Sequence, residues 1–224
     1  MTVLHLADEG EAADLAAFLS RLLHYDRGAA VRLQAAGTAL AVFGRPPSFE
    51  VLAIRTARLA KPYENGLDVT LDVTVSAGEL LEAVDEAAAT AVVPAAVTGP
   101  PWAGVLPPRG GWRAEPGLPA PDALRAMVGA GIAEFRSRTQ ELPPERRTRT
   151  ELDRVGREIW SRTVGETRLP VRAVHAAQSL GFLRAPDDTP LGLFSSGAWL
   201  RLRSPYGSIA VRTAGLGALG VSVR

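Results

Sequence analysis

Cysteine is absent from this 224-residue sequence. That excludes disulfide staples, a thiolate nucleophile, zinc sites built on thiolates and Cys-ligated iron–sulfur clusters. Lysine is scarce as well: Lys61 stands alone against 24 arginines, and Asn65 is the one asparagine. Ala, Gly, Pro and Val crowd the chain in the manner of GC-rich bacterial codon usage, so arginine density by itself carries little functional meaning. The three histidines, His5, His24 and His175, have no H-E-x-x-H spacing, and no metal site is expected. The start, Met1 to Asp14, lacks a basic segment and turns acidic by Asp8 and Glu9, so no signal peptide is expected. An uncharged stretch from Ala87 to Pro108 is interrupted by Pro94, Gly99, Pro100, Pro101 and Gly104. Lipid would leave such irregular backbone unsatisfied, so no membrane span is expected and the cytoplasm is the expected address.

With 46% hydrophobic and 22% charged residues and a net charge of +1, the chain has the make-up of an ordinary globular protein. Its length suits one large domain or two small ones, burying roughly 70% of the unfolded surface.

The expected fold class is α+β. An antiparallel sheet with flanking helices occupies the N-terminal half, and a helical segment plus a C-terminal β-hairpin makes the second half. Ala12, Leu15, Ala16, Leu19, Leu22 and Leu23 recur at helical spacing between Glu9 and Tyr25. Val31, Leu33 and Ala35 then alternate with polar residues, and Gly37-Thr38 suits a two-residue hairpin turn. Phe49 to Ala60 reads as a third strand, Asn65-Gly66 as a turn, and Val69, Leu71, Val73 and Val75 as a fourth strand with one wet face. Ser76 and Glu79 form a capping box for a short helix. Residues 1–98 therefore read as one antiparallel α+β unit.

Residues 99–120 read as a connector. Eight prolines and five glycines between Pro94 and Pro121 forbid long regular structure, and Trp102 and Trp112 are expected to pin the segment to the protein. Residues 121–224 read as helices plus a hairpin. Leu124, Val128 and Phe135 mark a first helix. Thr150 reads as the cap of a second, and Pro170 begins a third that ends at Gly181. Leu200 and Leu202 alternate with Arg201 and Arg203 before a Ser204-Pro205-Tyr206-Gly207 turn. Charge divides between the halves: residues 1–120 carry 9 basic and 14 acidic side chains, residues 121–224 carry 16 and 10. Gly28–Val42 also aligns without gaps on Gly197–Val211 with six identities in fifteen, which raises an internal repeat, although any two hairpins share period-two patterning.

The chemistry motifs mostly fail on context. Gly215 to Gly220 spells G-x-G-x-x-G, but too few residues follow to supply the helix whose N-terminus would meet a pyrophosphate. No G-x-x-x-x-G-K-[ST] is present, so no cofactor is expected. Ser195-Ser196-Gly197 lacks the nucleophile elbow and reads as the turn entering the last hairpin. The acidic pairs Asp68/Asp72 and Glu79/Glu82 read as solvated surface, which leaves no expected catalytic residue. Eight arginines between Arg136 and Arg162 are interleaved with acids, the pattern of a salt-bridged helix face. The element order of the second half resembles a winged helix. On that reading Arg172, His175 and Ser179 would face DNA from the third helix, and Arg201, Arg203 and Arg212 would reach phosphate from the hairpin. The alanine-rich third helix argues against direct base readout. The favoured expectation is a non-enzymatic protein-binding, scaffold or regulatory module with a protein partner. A DNA-binding regulator and an enzyme of unrecognised type are the alternatives.

Overall fold

The computed structural model describes residues 2–61, 71–184 and 190–213. The Asn65-Gly66 turn and the Gly215–Gly220 run lie outside the described residues.

Helix α1 (Glu9–Tyr25) starts where Asp8 accepts a hydrogen bond from the Glu11 amide at 2.9 Å. Its buried stripe of Ala12, Leu15, Ala16, Phe18, Leu19 and Leu22 is the one read from the spacing. The chain then makes a three-strand meander, β2 (Ala30–Ala36), β3 (Ala39–Gly44) and β4 (Leu52–Arg58). The short strand β1 (Val3–His5) precedes α1. Gly37 sits in the β2–β3 turn at φ +56°, a conformation that residues with a Cβ rarely adopt. The third strand is shorter than expected at its start, because Pro47–Phe49 winds into a 3-10 turn before β4 begins. Strand β5 (Leu71–Ser76) leads directly into α2 (Ala77–Glu82), capped by Ser76 Oγ on the Glu79 amide. Strands β6 (Val84–Asp85) and β7 (Thr90–Val92) join β1 in a small separate sheet.

The second half carries β8 (Arg113–Glu115), α3 (Pro121–Glu141), α4 (Arg149–Trp160) and α5 (Val171–Ser179). A second meander follows, of β9 (Gly192–Ser196), β10 (Trp199–Ser204) and β11 (Gly207–Arg212). The cap of α4 is Thr148, whose hydroxyl accepts from the Glu151 amide, and not Thr150. Thr148-x-x-Glu151 is the better capping sequence, because a capping box takes Glu or Gln at the third position, whereas Thr150-x-x-Asp153 offers the shorter Asp there. Ser195 and Ser196 close β9, and Gly197 takes the turn at φ +55°.

Eight of the strands form one antiparallel sheet in the order β5-β2-β3-β4-β11-β10-β9-β8. The expected C-terminal hairpin is β10–β11, which gains β9 and β8 on one side. On its other side β11 pairs with β4 through Ile54–Ser208, Ala53–Ile209 and Leu52–Ala210. Each helix-plus-meander unit, α1 with β2–β4 and α5 with β9–β11, thus ends on a strand at the centre, so the order of elements has a symmetry about the β4–β11 pair. The gap-free alignment of Gly28–Val42 with Gly197–Val211 does not follow this symmetry. It lays β2 on β10, whereas the order of elements lays β2 on β9. It preserves the buried face but not the ladder: Leu33 pairs with Val42, while the aligned Leu202 pairs with Ile209 and not Val211. Alternation in two hairpins accounts for that much likeness.

Helices cover one face of the sheet, with α1 over β4 and α5 over β11. The main apolar cluster lies there and draws on both halves, including Phe18, Leu33, Val42, Val174, Phe182, Leu202 and Ile209. Phe18 and Phe182 stack at 5.9 Å where α1 meets the end of α5.

The opposite, outer face has a smaller cluster, Phe43, Leu52, Ile54 and Ala210, and no α-helix packs on that cluster among the described residues. The proline-rich connector crosses it as a strap. β5 and β8 are the two edges of the sheet, so the chain linking them must traverse roughly 34 Å at the usual strand spacing. Its contacts run from one side of the sheet to the other. The Val97 amide donates to the Thr74 carbonyl on β5, and Arg32 on β2 donates to the Ala103 carbonyl. Trp102 and Leu106 pack on the cluster from β3, β4 and β11. Trp112 faces the Arg201 guanidinium on β10, and Ser196 on β9 donates to the Gly110 carbonyl. Both tryptophans expected to pin the connector contact the sheet or its side chains.

Candidate binding groove

Beside the helical layer, α4, α5 and the 3-10 turn at Pro47–Phe49 enclose a groove of about 1160 Å³. Local sequence places each wall. Arg149–Trp160 buries Val155 and Ile159 against the core and leaves Trp160 on the last turn, half-exposed. The Trp160 ring rests on α3 because residue 131 is glycine: a Cβ there would come within 2.8 Å of its Cζ3. Val171–Ser179 buries its alanines and valines, and His175 projects from the opposite side.

The floor is a chain of rings from four elements. His175 lies 4.4 Å from Trp160, tilted by 31°, and 5.0 Å from Phe49, edge to face. Phe49 meets Tyr25 edge to face at 5.3 Å. Burial among these rings pushes the His175 pKa below its ordinary value, since desolvation penalises the imidazolium. At neutral pH the ring is therefore an uncharged aromatic surface.

The rim is charged, and most of its acids are already committed. Glu158 accepts two bonds from Arg138, at 2.9 and 2.8 Å, which hold its carboxyl below the usual range. Arg149 pairs loosely with Asp153 at 3.8 Å. Arg157 and Arg172 also line the groove and have no carboxylate partner among the described residues. Arg172 Nε is buried without a hydrogen-bond partner among them. Glu50, at the groove's edge, holds left-handed backbone at φ +52°.

The six residues read from sequence as DNA contacts do not share one surface. Arg172 and His175 line the groove on the helical side. Ser179 is half-buried at the end of α5 and lines neither this groove nor the recess described next. Arg201, Arg203 and Arg212 alternate with Leu200, Leu202 and Val211, which face the helices, so the arginines stand on the outer face with the sheet between the two groups. Helix α5 is alanine-rich because it packs on β11 and α3, where small side chains let the helix approach closely. Tyr25, Phe49, Arg157 and Trp160 were not singled out from sequence. Few aromatics occur in this chain, and an aromatic closing the otherwise charged α4 was the available signal.

On the outer face, beside the strap, Thr56, Phe194, Arg201, Arg203 and Ser208 surround a second recess of about 690 Å³. The Arg201 Nε donates to Ser208 Oγ at 2.9 Å, and burial lowers the Arg201 pKa, aided by the charge of Arg203. Among the described residues no group of three or more His, Asp or Glu side chains is placed to hold a metal ion, and no helix is long and apolar enough to cross a membrane.

Residues 1–104 match a family described as a domain of unknown function, DUF8010, and residues 107–216 match another, DUF8185. The two matches meet inside the strap. No curated protein matches the chain. Among solved structures, the chain is similar to a DNA polymerase sliding clamp from Pseudomonas aeruginosa crystallised with ligand, at 13% identity and a TM-score of 0.48. That likeness covers 90% of this chain and 62% of the clamp chain, so this chain spans under two thirds of the other's length. The functional reading therefore rests on the side chains.

Proposed function

We propose that this chain is a protein-binding module whose groove between α4, α5 and the Pro47–Phe49 turn receives an acidic, aromatic-bearing segment of a partner protein. The observation that carries the reading is the pairing of a four-ring floor with two arginines on the rim that have no carboxylate partner among the described residues. Trp, Tyr and Arg are the residues that dominate binding energy at protein interfaces, because they bury a large area and keep a polar end for specificity. Here Trp160 and Tyr25 flank Phe49 and His175 in one continuous surface. An entering aromatic ring would stack on that floor, and an acidic neighbour would meet Arg157 and Arg172, relieving the unsatisfied Nε.

The test is co-purification of the tagged chain from its native cells, with Arg157→Glu as the comparison. Arg157 is exposed on α4 and makes no ion pair among the described residues, so the charge reversal leaves the fold intact. A stoichiometric protein retained by the wild type and lost from the variant supports the reading. A partner held equally by both, or none with either, contradicts it.

A further inference from the structure

The outer face carries a second site, distinct from the groove. We propose that the recess between Arg201, Arg203, Ser208 and Thr56 binds the dianionic phosphate group of a small phosphate monoester.

Three independent features support this. The first is charge with no carboxylate partner among the described residues. Arg32, Arg55, Arg58, Arg138, Arg154, Arg162 and Arg184 each pair with a carboxylate in the described structure. Arg201 and Arg203 do not, and no Asp or Glu is among the described residues lining the recess. They stand two residues apart on one strand and so project from the same face. Two guanidinium groups are what a dianion requires, and their planar forks match tetrahedral oxyanions.

The second is that one cation is fixed before any ligand arrives. Arg201 Nε is held by Ser208, itself only 3% exposed, and its guanidinium carbon lies 5.7 Å from the centre of the Trp112 ring. With Nε engaged, Nη1 and Nη2 remain to donate. A desolvated cation held in this way gains more from an incoming anion than a solvated one does, because water no longer competes. Placing the hydroxyl groups of Thr56 and Ser208 along the same recess adds donors for the remaining oxygens.

The third is shape. At about 690 Å³ the recess falls within the size of small-ligand sites, which run roughly 300–1,000 Å³. The Phe194 ring folds over Gly192, where a Cβ would come within 2.6 Å of it, and offers an apolar wall to the uncharged remainder of the ligand. A duplex backbone would instead call for cations spread along the whole face. Arg212 is the exposed candidate for that role, since it pairs in register with Trp199 and lies outside the recess.

The experiment is titration of ¹⁵N-labelled protein with phenyl phosphate at constant ionic strength, following the β9–β11 amides, with a 20-base-pair duplex titrated in parallel. Binding at the recess gives saturable shifts with phenyl phosphate and none with phenol. Arg203→Gln weakens that binding about tenfold or more, as loss of one charge-assisted contact requires, while Arg212→Gln leaves it unchanged. Arg203 is exposed, so this variant folds whatever becomes of an Arg201 substitution. Shifts that rise linearly without saturation, or equal affinity in Arg203→Gln and wild type, overturn the proposal. Duplex binding that falls equally in Arg203→Gln and Arg212→Gln, without saturable binding of phenyl phosphate, also overturns it and assigns this face to a nucleic-acid backbone.

Discussion

Arg55 reaches across the central seam of the sheet to Tyr206: its Nη1 donates to the Tyr206 carbonyl oxygen at 2.7 Å. Arg55 is on β4 and Tyr206 is in the β10–β11 turn, so one side chain ties the first meander to the second. It is 5% exposed, points toward the helical layer and also meets Glu11 and Asp14 of α1 at 3.2 and 3.1 Å. Asp14 in turn pairs with Arg184, just beyond α5. Removing Arg55 leaves Glu11 and the Tyr206 carbonyl half-served in a low-dielectric setting. Arg55→Ala is expected to cost about 3 kcal/mol in urea unfolding, at the low end for a broken buried pair because Asp14 keeps Arg184 and some solvent. A loss below about 1 kcal/mol would show that the seam is held by apolar packing alone.

Burial of His175 makes stability pH-dependent. Its folded pKa is depressed below the unfolded value near 6.5, so the unfolded chain takes up a proton that the folded chain resists. The stability associated with a neutral His175 is fully present above about pH 6.5 and is lost as pH falls toward the folded pKa. The urea midpoint should drop between pH 7.5 and 5.5, and His175→Phe, which keeps the ring, should flatten that drop. An unchanged pH profile in the variant would remove His175 as the cause.

Gly131→Ala should displace the Trp160 ring from α3. Alanine raises helix propensity by about 1 kcal/mol, but overpacking costs about 1–3 kcal/mol. The net expectation is a loss of about 1 kcal/mol and a change in tryptophan emission that disappears in a Trp160→Phe background. Emission unaltered by the substitution would mean the ring does not rest where Gly131 admits it.

The strap is held chiefly by Trp102. That ring is half-buried on Phe43, Leu52, Ile54 and Ala210, so Trp102→Ala should cost about 2 kcal/mol, less than truncation of a fully buried tryptophan. Trp112→Ala should cost less, since its indole donates only to Pro108 of the strap itself and its ring faces Arg201. Thermal midpoints of the two variants check the order, and equal losses would contradict it.

Thr148→Ala should destabilise by about 1 kcal/mol and Thr150→Ala by a few tenths at most, because only Thr148 caps α4. The reverse order in denaturant midpoints would restore Thr150 as the cap.

What was legible in the sequence was local. The span of α1 follows from the leucine spacing, the β2–β3 turn from Gly37, and α2 from Ser76 with Glu79, because each depends on residues close in sequence. Strands β1, β7 and β8 have three residues apiece, too few to show alternation. The β4–β11 pairing joins segments some 150 residues apart and has no local signature, although it decides that both halves share one sheet. The candidate groove was half-legible for the same reason. Arg172 and His175 stood out on a short helix, but Tyr25, Phe49 and Trp160 meet them only through the packing of α1, α4 and the 3-10 turn on α5. The winged-helix order put Arg201 and Arg203 beside α5, and the pleat of β10 sends them to the other side.

The most direct test of groove-mediated protein binding is site-specific photo-crosslinking in native cells, with p-benzoylphenylalanine at Leu152 inside the groove and at Glu82 on α2 outside it. One discrete protein adduct from position 152, absent from position 82 and lost when Arg157→Glu is added, is the result that groove docking produces. Adducts from both positions alike, or none from position 152, would contradict it.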